Sequence, residues 1–316
     1  ASFGIGLDPD DTRGYRSIAS AAALLVERTG RLDEAGAWTG RQLVGRYFIC
    51  GFGDAAQRMD LLPRLACGEA LIAIAISEPG VGAHPRDLTT RAKVDGDGVR
   101  ITGRKAWVSN GPDASHFVVL AISAMEGARK RYSAYLVPRE TAGLSLQPMP
   151  ELKHSRHCVL ELDGCRVLRS MRLGPEDDAY EAMALPLRDT EDAVELSKLA
   201  GGLRFVLQRL AMGAATPEAD LALGGLLALT AVLSDGAAAL ADALDAGRLA
   251  EKSAQLVGLR LLVAELVQRV RTYTTAHGPT DDECIASALA DLDLALSIAR
   301  GPRQARQARL AITLLG

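Results

Sequence analysis

The sequence predicts an α+β multidomain chain with N-terminal helices, a central antiparallel β-barrel or sandwich, and a C-terminal four-helix bundle. Two switches of hydrophobic period and a set of tight turns carry that expectation. Apolar residues between positions 11 and 67 fall at helical spacing, from Ala70 to about Leu173 they alternate, and from Leu187 the helical spacing returns. Turn chemistry such as Asp95-Gly96-Asp97-Gly98 separates short alternating runs, which favours antiparallel pairing over a parallel sheet. The expected segments are therefore 1–69, 70–174 and 175–316.

In the first segment, Ala21-Ala22-Ala23-Leu24-Leu25 is a strong helix former and Gly30 is a stop signal. Two more helices are expected over 33–50 and 54–66, with Asp54 as the N-cap after Gly53. In the second, Thr90, Ala92 and Val94 alternate with Arg91, Lys93 and Asp95, and the runs 117–122 and 132–137 read as further strands. In the third, Leu196, Leu199, Leu203, Val206 and Leu210 form the stripe of a long packed helix. Three more helices are expected between Pro217 and Gly316, with breaks near Ala246-Gly247 and at His277-Gly278-Pro279. The most apolar run, Leu221 to Ser234, is short for a bilayer and reads as a buried bundle helix.

The net charge of −3 over 316 residues makes no electrostatic case for nucleic acid or an anionic membrane, so neither is an expected partner. Arg300, Arg303, Arg306 and Arg309 recur every third residue and read as a solvated helix face. The five cysteines are scattered without a CxxC pair, which fits a reducing, cytoplasmic compartment and argues against a metal site or a disulfide framework. Ala1-Ser2-Phe3-Gly4 shows no basic stretch leading into an apolar core, so no secretion signal is expected.

Four segments stand in order along the middle of the chain. They are Gly53-Asp54-Ala55-Ala56-Gln57 leading to Cys67-Gly68-Glu69; Ile76-Ser77-Glu78-Pro79-Gly80-Val81-Gly82; Ile101 to Gly111, containing Gly103-Arg104-Lys105-Ala106-Trp107-Val108-Ser109-Asn110-Gly111; and Leu160 to Val167 followed by Leu173-Gly174. Together they resemble the acyl-CoA dehydrogenases over about residues 50–174, the second and third being similar to the family's T-E-P-G-x-G and G-x-K-x-W-I-[TS]-N-G motifs. The resemblance implies FAD as cofactor, an acyl-CoA or related thioester as substrate, a homodimer or homotetramer, and an electron-acceptor flavoprotein as partner.

The chemistry of the residues agrees with that resemblance. An isoalloxazine ring is flat and largely apolar with a polar edge, so it needs an aromatic wall and hydrogen-bonding groups along one side. Trp107 is the expected wall, and Ser109, two residues on and so on the same strand face, the expected donor toward N5. Ile76 and Ser77 are expected along the pyrimidine end, and Gly82, with Gly80, permits close backbone approach. Lys105 and Glu78 are expected to make surface or turn contacts. Lys153 and Arg156, in a loop where the family commonly places a basic residue, are the expected CoA contacts.

The family reaction also implies a glutamate base, usually in a Tyr-Glu-Gly-Thr-like segment that residues 311–316 do not contain. A minority of the family places it on the first long bundle helix, seven residues before a glycine. Glu195 holds that relation to Gly202, and Gly201 and Gly202 would leave room for a ligand beside it. The competing reading of Glu195 is an i,i+3 pair with Lys198, and Glu191 is a second candidate. Ala83 and His84 stand where the family usually has Ser-Asp, and Ala211-Met212-Gly213-Ala214-Ala215 replaces an R-x-x-F-G segment. The leading expectation is an FAD-dependent oxidoreductase performing α,β-dehydrogenation of an acyl thioester. The alternative is a catalytically degenerate member that binds acyl-CoA or serves as a partner subunit of a full-length dehydrogenase.

Overall fold

A computed structural model describes residues 5–149, 157–213, 216–277, 282–298 and 300–315. The chain forms two compact units that do not follow chain order. One comprises Ala1–Asp11 with Arg41–Arg188, the other Thr12–Gly40 with Asp189–Gly316. The segment expected over 1–69 is thus divided between them.

The first unit is built on eight strands: β1 (Ile72–Ala75), β2 (Arg91–Asp95), β3 (Gly98–Ser109), β4 (His116–Glu126), β5 (Arg129–Pro138), β6 (Leu144–Pro148), β7 (His157–Leu168) and β8 (Arg172–Leu173). They lie in the order β6-β7-β3-β2-β4-β5-β8, with β1 also on β4. The ladders are antiparallel except where β1 and β2 each meet β4 in parallel, a mixture that the alternation alone does not reveal. Alternate residues of these strands, among them Val99, Ile101, Phe117, Val119, Val137, Leu160 and Leu162, form one apolar core.

Helical turns close this unit. The π-helical turn Gly45–Cys50 precedes α3 (Ala55–Cys67), whose N-cap Asp54 makes a reciprocal capping box with Gln57. The same Gln57 amide donates to the carbonyls of Ser170 and Arg172, both at 3.0 Å, so the cap also fixes the helix to the segment entering β8.

The second unit holds α1 (Gly14–Thr29), most of α2 (Leu32–Val44) and of α4 (Leu185–Ala211), then α5 (Pro217–Asp245), α6 (Ser253–His277), α7 (Glu283–Ser297) and α8 (Arg300–Leu315). Gly30 ends α1 in the left-handed conformation, its N–H donating to the Val26 carbonyl, as its position in the sequence predicts. The apolar stripe of α4 is buried with residues of α5, α6 and α7.

Three expectations about this unit need correction. The single helix expected after residue 279 is two, because Ile298 leaves helical geometry with φ −64 and ψ 135. The run 221–234 lies in a 29-residue helix, α5, which is long and apolar enough to cross a membrane and is buried along one stripe only. Leu223, Leu226, Leu233 and Leu240 face the core, while Leu221, Leu227 and Val232 stay exposed. Finally, Arg303 and Arg306 do not sit on a solvated face. Both guanidinium groups reach Asp192, which is 1% exposed and also pairs with Arg260 at 2.6 Å, and Arg306 meets Asp189. A carboxylate buried on α4 therefore draws in basic residues that local spacing assigns to solvent.

Candidate functional site

Within five residues, β3 shows opposite chemistry on its two faces. Period-two alternation puts Lys105 on the inner side with Val99 and Ile101, and its side chain is wholly buried. Its Nζ donates to the Ile76 carbonyl and to Glu78 Oε1, each at 3.0 Å. Glu78, 3% exposed, also accepts from the Thr89 N–H and hydroxyl at 2.8 Å and from the Thr90 N–H at 2.9 Å. The surface or turn contact expected of this pair is instead a buried, hydrogen-bonded ion pair.

Burial draws Lys105 down to about 8 against the attraction of Glu78. Burial by itself would raise Glu78, but the charge of Lys105 and hydrogen bonds from Thr90 outweigh it and hold the carboxyl at about 2. Both groups are charged at neutral pH. Their contacts clamp residues 76–78 onto β3, and the Ala106 N–H extends the clamp by donating to the Ser77 carbonyl at 2.9 Å.

The next residues turn outward. Lys105 pairs with Leu160 of β7 but Val108 with Cys158, so β3 carries one extra residue between them. Trp107 takes it up with φ +59, a left-handed conformation that costs a bulky residue about 1–3 kcal/mol. The bulge leaves the indole 53% exposed and keeps Ser109 on the outer face, with Val108 buried between the two. Just beyond, Asn110 is also left-handed, and a Cβ on Gly111 would lie 2.3 Å from Cys158 Sγ, so the Asn-Gly pair is required for the chain to turn back against β7.

Directly across from Ser109 in the β3–β7 ladder stands His157. Ser109 Oγ and His157 Nε2 are 2.9 Å apart, and the indole meets the imidazole edge-on with centroids 6.4 Å apart and planes at 73°. Burial lowers the pKa of His157, which favours the neutral ring. Sequence reasoning passed over this residue because only strand register brings positions 109 and 157 together. By contrast, the burial of Lys105 had a signal, its parity with Val99 and Ile101.

The structure brings Ile76, Ser77, Trp107 and Ser109 together through the clamp and the bulge. Gly82 ends a closed turn in which the Glu78 N–H donates to the Gly82 carbonyl at 2.8 Å and the Gly82 N–H returns to the Glu78 carbonyl at 3.1 Å. His84 pairs with Asp87 at 3.3 Å and both are exposed. The arrangement offers a broad aromatic surface with a hydroxyl, an imidazole and a fixed backbone segment at its edge. That combination suits a planar heteroaromatic ring with a polar rim.

Glu195 lies on α4 in the other unit. Its Oε1 is 3.0 Å from Lys198 Nζ, the i,i+3 pair that competes with a role as base, and its side chain is 24% exposed. The room expected beside Gly201 and Gly202 is filled. A Cβ on Gly201 would lie 2.3 Å from the Ala23 carbonyl oxygen of α1, and one on Gly202 3.1 Å from Leu32 of α2, so these glycines let helices approach closely. Glu191 is half-buried one turn earlier. Lys153 and Arg156 lie outside the described residues.

Residues 73–165 match the model of the acyl-CoA dehydrogenase middle domain. The probable acyl-CoA dehydrogenase fadE25 of Mycobacterium leprae is 25% identical over 190 residues, covering 59% of this chain and 49% of that protein. An L-prolyl-[peptidyl-carrier protein] dehydrogenase of Pseudomonas fluorescens is 35% identical over 132 residues, 40% of this chain and 35% of its own length. The chain thus spans about half the length, or less, of these named relatives. Among solved structures, a glutaryl-coenzyme A dehydrogenase with glutaryl-CoA superposes with a TM-score of 0.77 over 100% of this chain and 85% of that one, at 17% identity, a likeness of fold.

Proposed function

We propose that the chain, whose residues 73–165 match the acyl-CoA dehydrogenase middle domain, is a member of that family and an FAD-dependent oxidoreductase acting on the Cα–Cβ bond of an acyl thioester. The observation that carries this reading is the exposed Trp107 held in a left-handed bulge beside Ser109 and the clamped segment 76–78. A strained, exposed aromatic residue is expensive unless something lies on it. The residues fit a flavin ring: Trp107 would cover its apolar face, Ser109 would meet its polar edge, and Ile76 and Ser77 would hold its pyrimidine end. Bound FAD supplies the hydride acceptor. Glu195 is the candidate to take the α-proton, with Lys198 as its counter-ion.

The acyl carrier is coenzyme A or a closely related thioester such as a carrier protein, and a second flavoprotein takes the electrons. The chain works as a homodimer or homotetramer, a reading favoured by the exposed apolar residues Leu221, Leu227 and Val232 on α5. A reducing cytoplasmic setting suits five cysteines that are all free.

The test is an anaerobic titration of the purified chain with FAD and then with short, branched and long acyl-CoAs, for wild type and Glu195→Gln. Wild type should take up FAD and show bleaching of the flavin band with at least one thioester. Glu195→Gln should bind FAD equally and fail to bleach. Equal bleaching by both removes Glu195 as the base, and a wild type that takes up no flavin removes the whole reading.

A further inference from the structure

We propose that His157 is a positioning residue that decides whether the Ser109 hydroxyl presents its proton or its lone pairs to the flavin ring. The inference rests on the FAD reading above. The two residues are register partners across β3 and β7, their polar atoms are 2.9 Å apart, and both border the exposed indole of Trp107.

A serine hydroxyl has one proton to give. When His157 Nε2 is bare, Ser109 donates to it, and only lone pairs remain for a ligand on the indole. When Nε2 carries a proton, in the other neutral tautomer or in the imidazolium, His157 donates and the serine proton is free. The flavin changes in the same sense. N5 of the oxidised ring accepts a hydrogen bond, whereas the reduced ring carries N5–H and donates one. The protonated imidazole therefore matches the oxidised ring and the bare Nε2 the reduced ring. Because linkage is reciprocal, the redox state of the ring must move the protonation of His157 through the hydroxyl. A matched hydrogen bond of this kind changes relative affinity by up to roughly tenfold.

Among the described residues, most charges on the elements packed against β7 are already paired. Among the same residues, the elements packed most closely against β7 are β3, β6 and the turn Gly111–Asp113. On β3, Arg100 pairs with Asp95, Arg104 with Glu161 and Lys105 with Glu78; β7 itself adds Asp163 and Arg166, the latter paired with Asp97; β6 has no charged residue; the turn contributes Asp113. Burial is the cause that displaces His157 from its ordinary value.

The experiment follows the His157 imidazole by NMR between pH 5 and 8 in the full chain, free and with oxidised or reduced FAD, in wild type and Ser109→Ala. The two-electron potential of bound FAD is measured over the same range in wild type, His157→Gln and His157→Phe. Ser109→Ala keeps the imidazole and any charge on the ring but cuts the hydroxyl link. The oxidised-minus-reduced difference in His157 midpoint should then be more positive in wild type than in Ser109→Ala, by up to about one pH unit for the tenfold effect. The potential of wild type should bend at the His157 midpoints, and His157→Gln, which keeps a polar atom in place but does not titrate, should lose that bend while still holding FAD. If His157→Phe does not fold, the glutamine and alanine variants suffice. Bound FAD with the same midpoint difference in wild type and Ser109→Ala would overturn the role of His157 and leave the flavin reading standing. No flavin uptake by wild type would overturn both.

Discussion

Lys105 and Trp107 stand two residues apart on one strand and meet opposite fates. Lys105 is a charged residue with no exposed surface, its Nζ donating to Glu78 and to the Ile76 carbonyl. Trp107 is a large apolar residue left half in solvent, in a backbone conformation that disfavours it. Each contradicts the ordinary partition of side chains between core and water. The difference teaches how the platform is made. The buried ion pair fixes the segment 76–78 to β3 from below, and that rigidity is what lets the bulge above hold an exposed ring at a set place. Stability is concentrated in the first residue and the exposed aromatic surface in the second.

Removing one member of the buried pair should break this arrangement most severely. Lys105→Met or Glu78→Gln alone should cost roughly 3–5 kcal/mol in urea unfolding, because a buried charge is left without its partner. The combined variant Lys105→Met with Glu78→Leu should recover much of that stability, since neither charge then needs compensation. A combined variant as unstable as the singles would show that the hydrogen bonds from Thr89 and Thr90 matter more than the ion pair.

The acid limb of stability sharpens the same point. The folded-state value of Glu78, about 2, lies below the ordinary 4.5, so its contribution is complete above about 4.5 and is lost as pH falls toward 2. Urea midpoints measured from pH 6 down to pH 2 should fall steeply through that window in wild type and more gently in Glu78→Gln. Parallel curves would place the acid sensitivity elsewhere.

The smallest effect on stability belongs to the most conspicuous residue. Trp107→Gly should change unfolding free energy by no more than about 1 kcal/mol in either direction, because the strain relieved at φ +59 offsets the loss of the buried half of the side chain. The same variant should lose most of its FAD affinity in a fluorescence titration. Unchanged affinity would detach the indole from the flavin, and a large loss of stability would make Trp107 a packing residue after all.

Much of the fold is legible in local patterns. The cap at Asp54, the stop at Gly30, the long stripe of α4 and the alternating strands all depend on neighbours within a few residues, so periodicity and capping chemistry reveal them. The Glu195–Lys198 pair is legible for the same reason, being one helical turn apart. The arginines of α8 are not, because Asp189 and Asp192 lie more than a hundred positions away and only helix docking brings them within reach.

The candidate site divides along the same line. By itself the sequence determined that Trp107 and Ser109 share one face of β3, two residues apart, and its motifs named the flavin chemistry that such a face suits. Only the tertiary structure decided that Lys105 is sealed in with Glu78, that Trp107 occupies a left-handed bulge, that His157 faces Ser109, and that the space beside Gly201 is filled by α1. The physical reason is range. Alternation and capping are properties of a few consecutive residues, whereas register, bulges and the partners of a buried charge are settled by chain segments that meet only after folding.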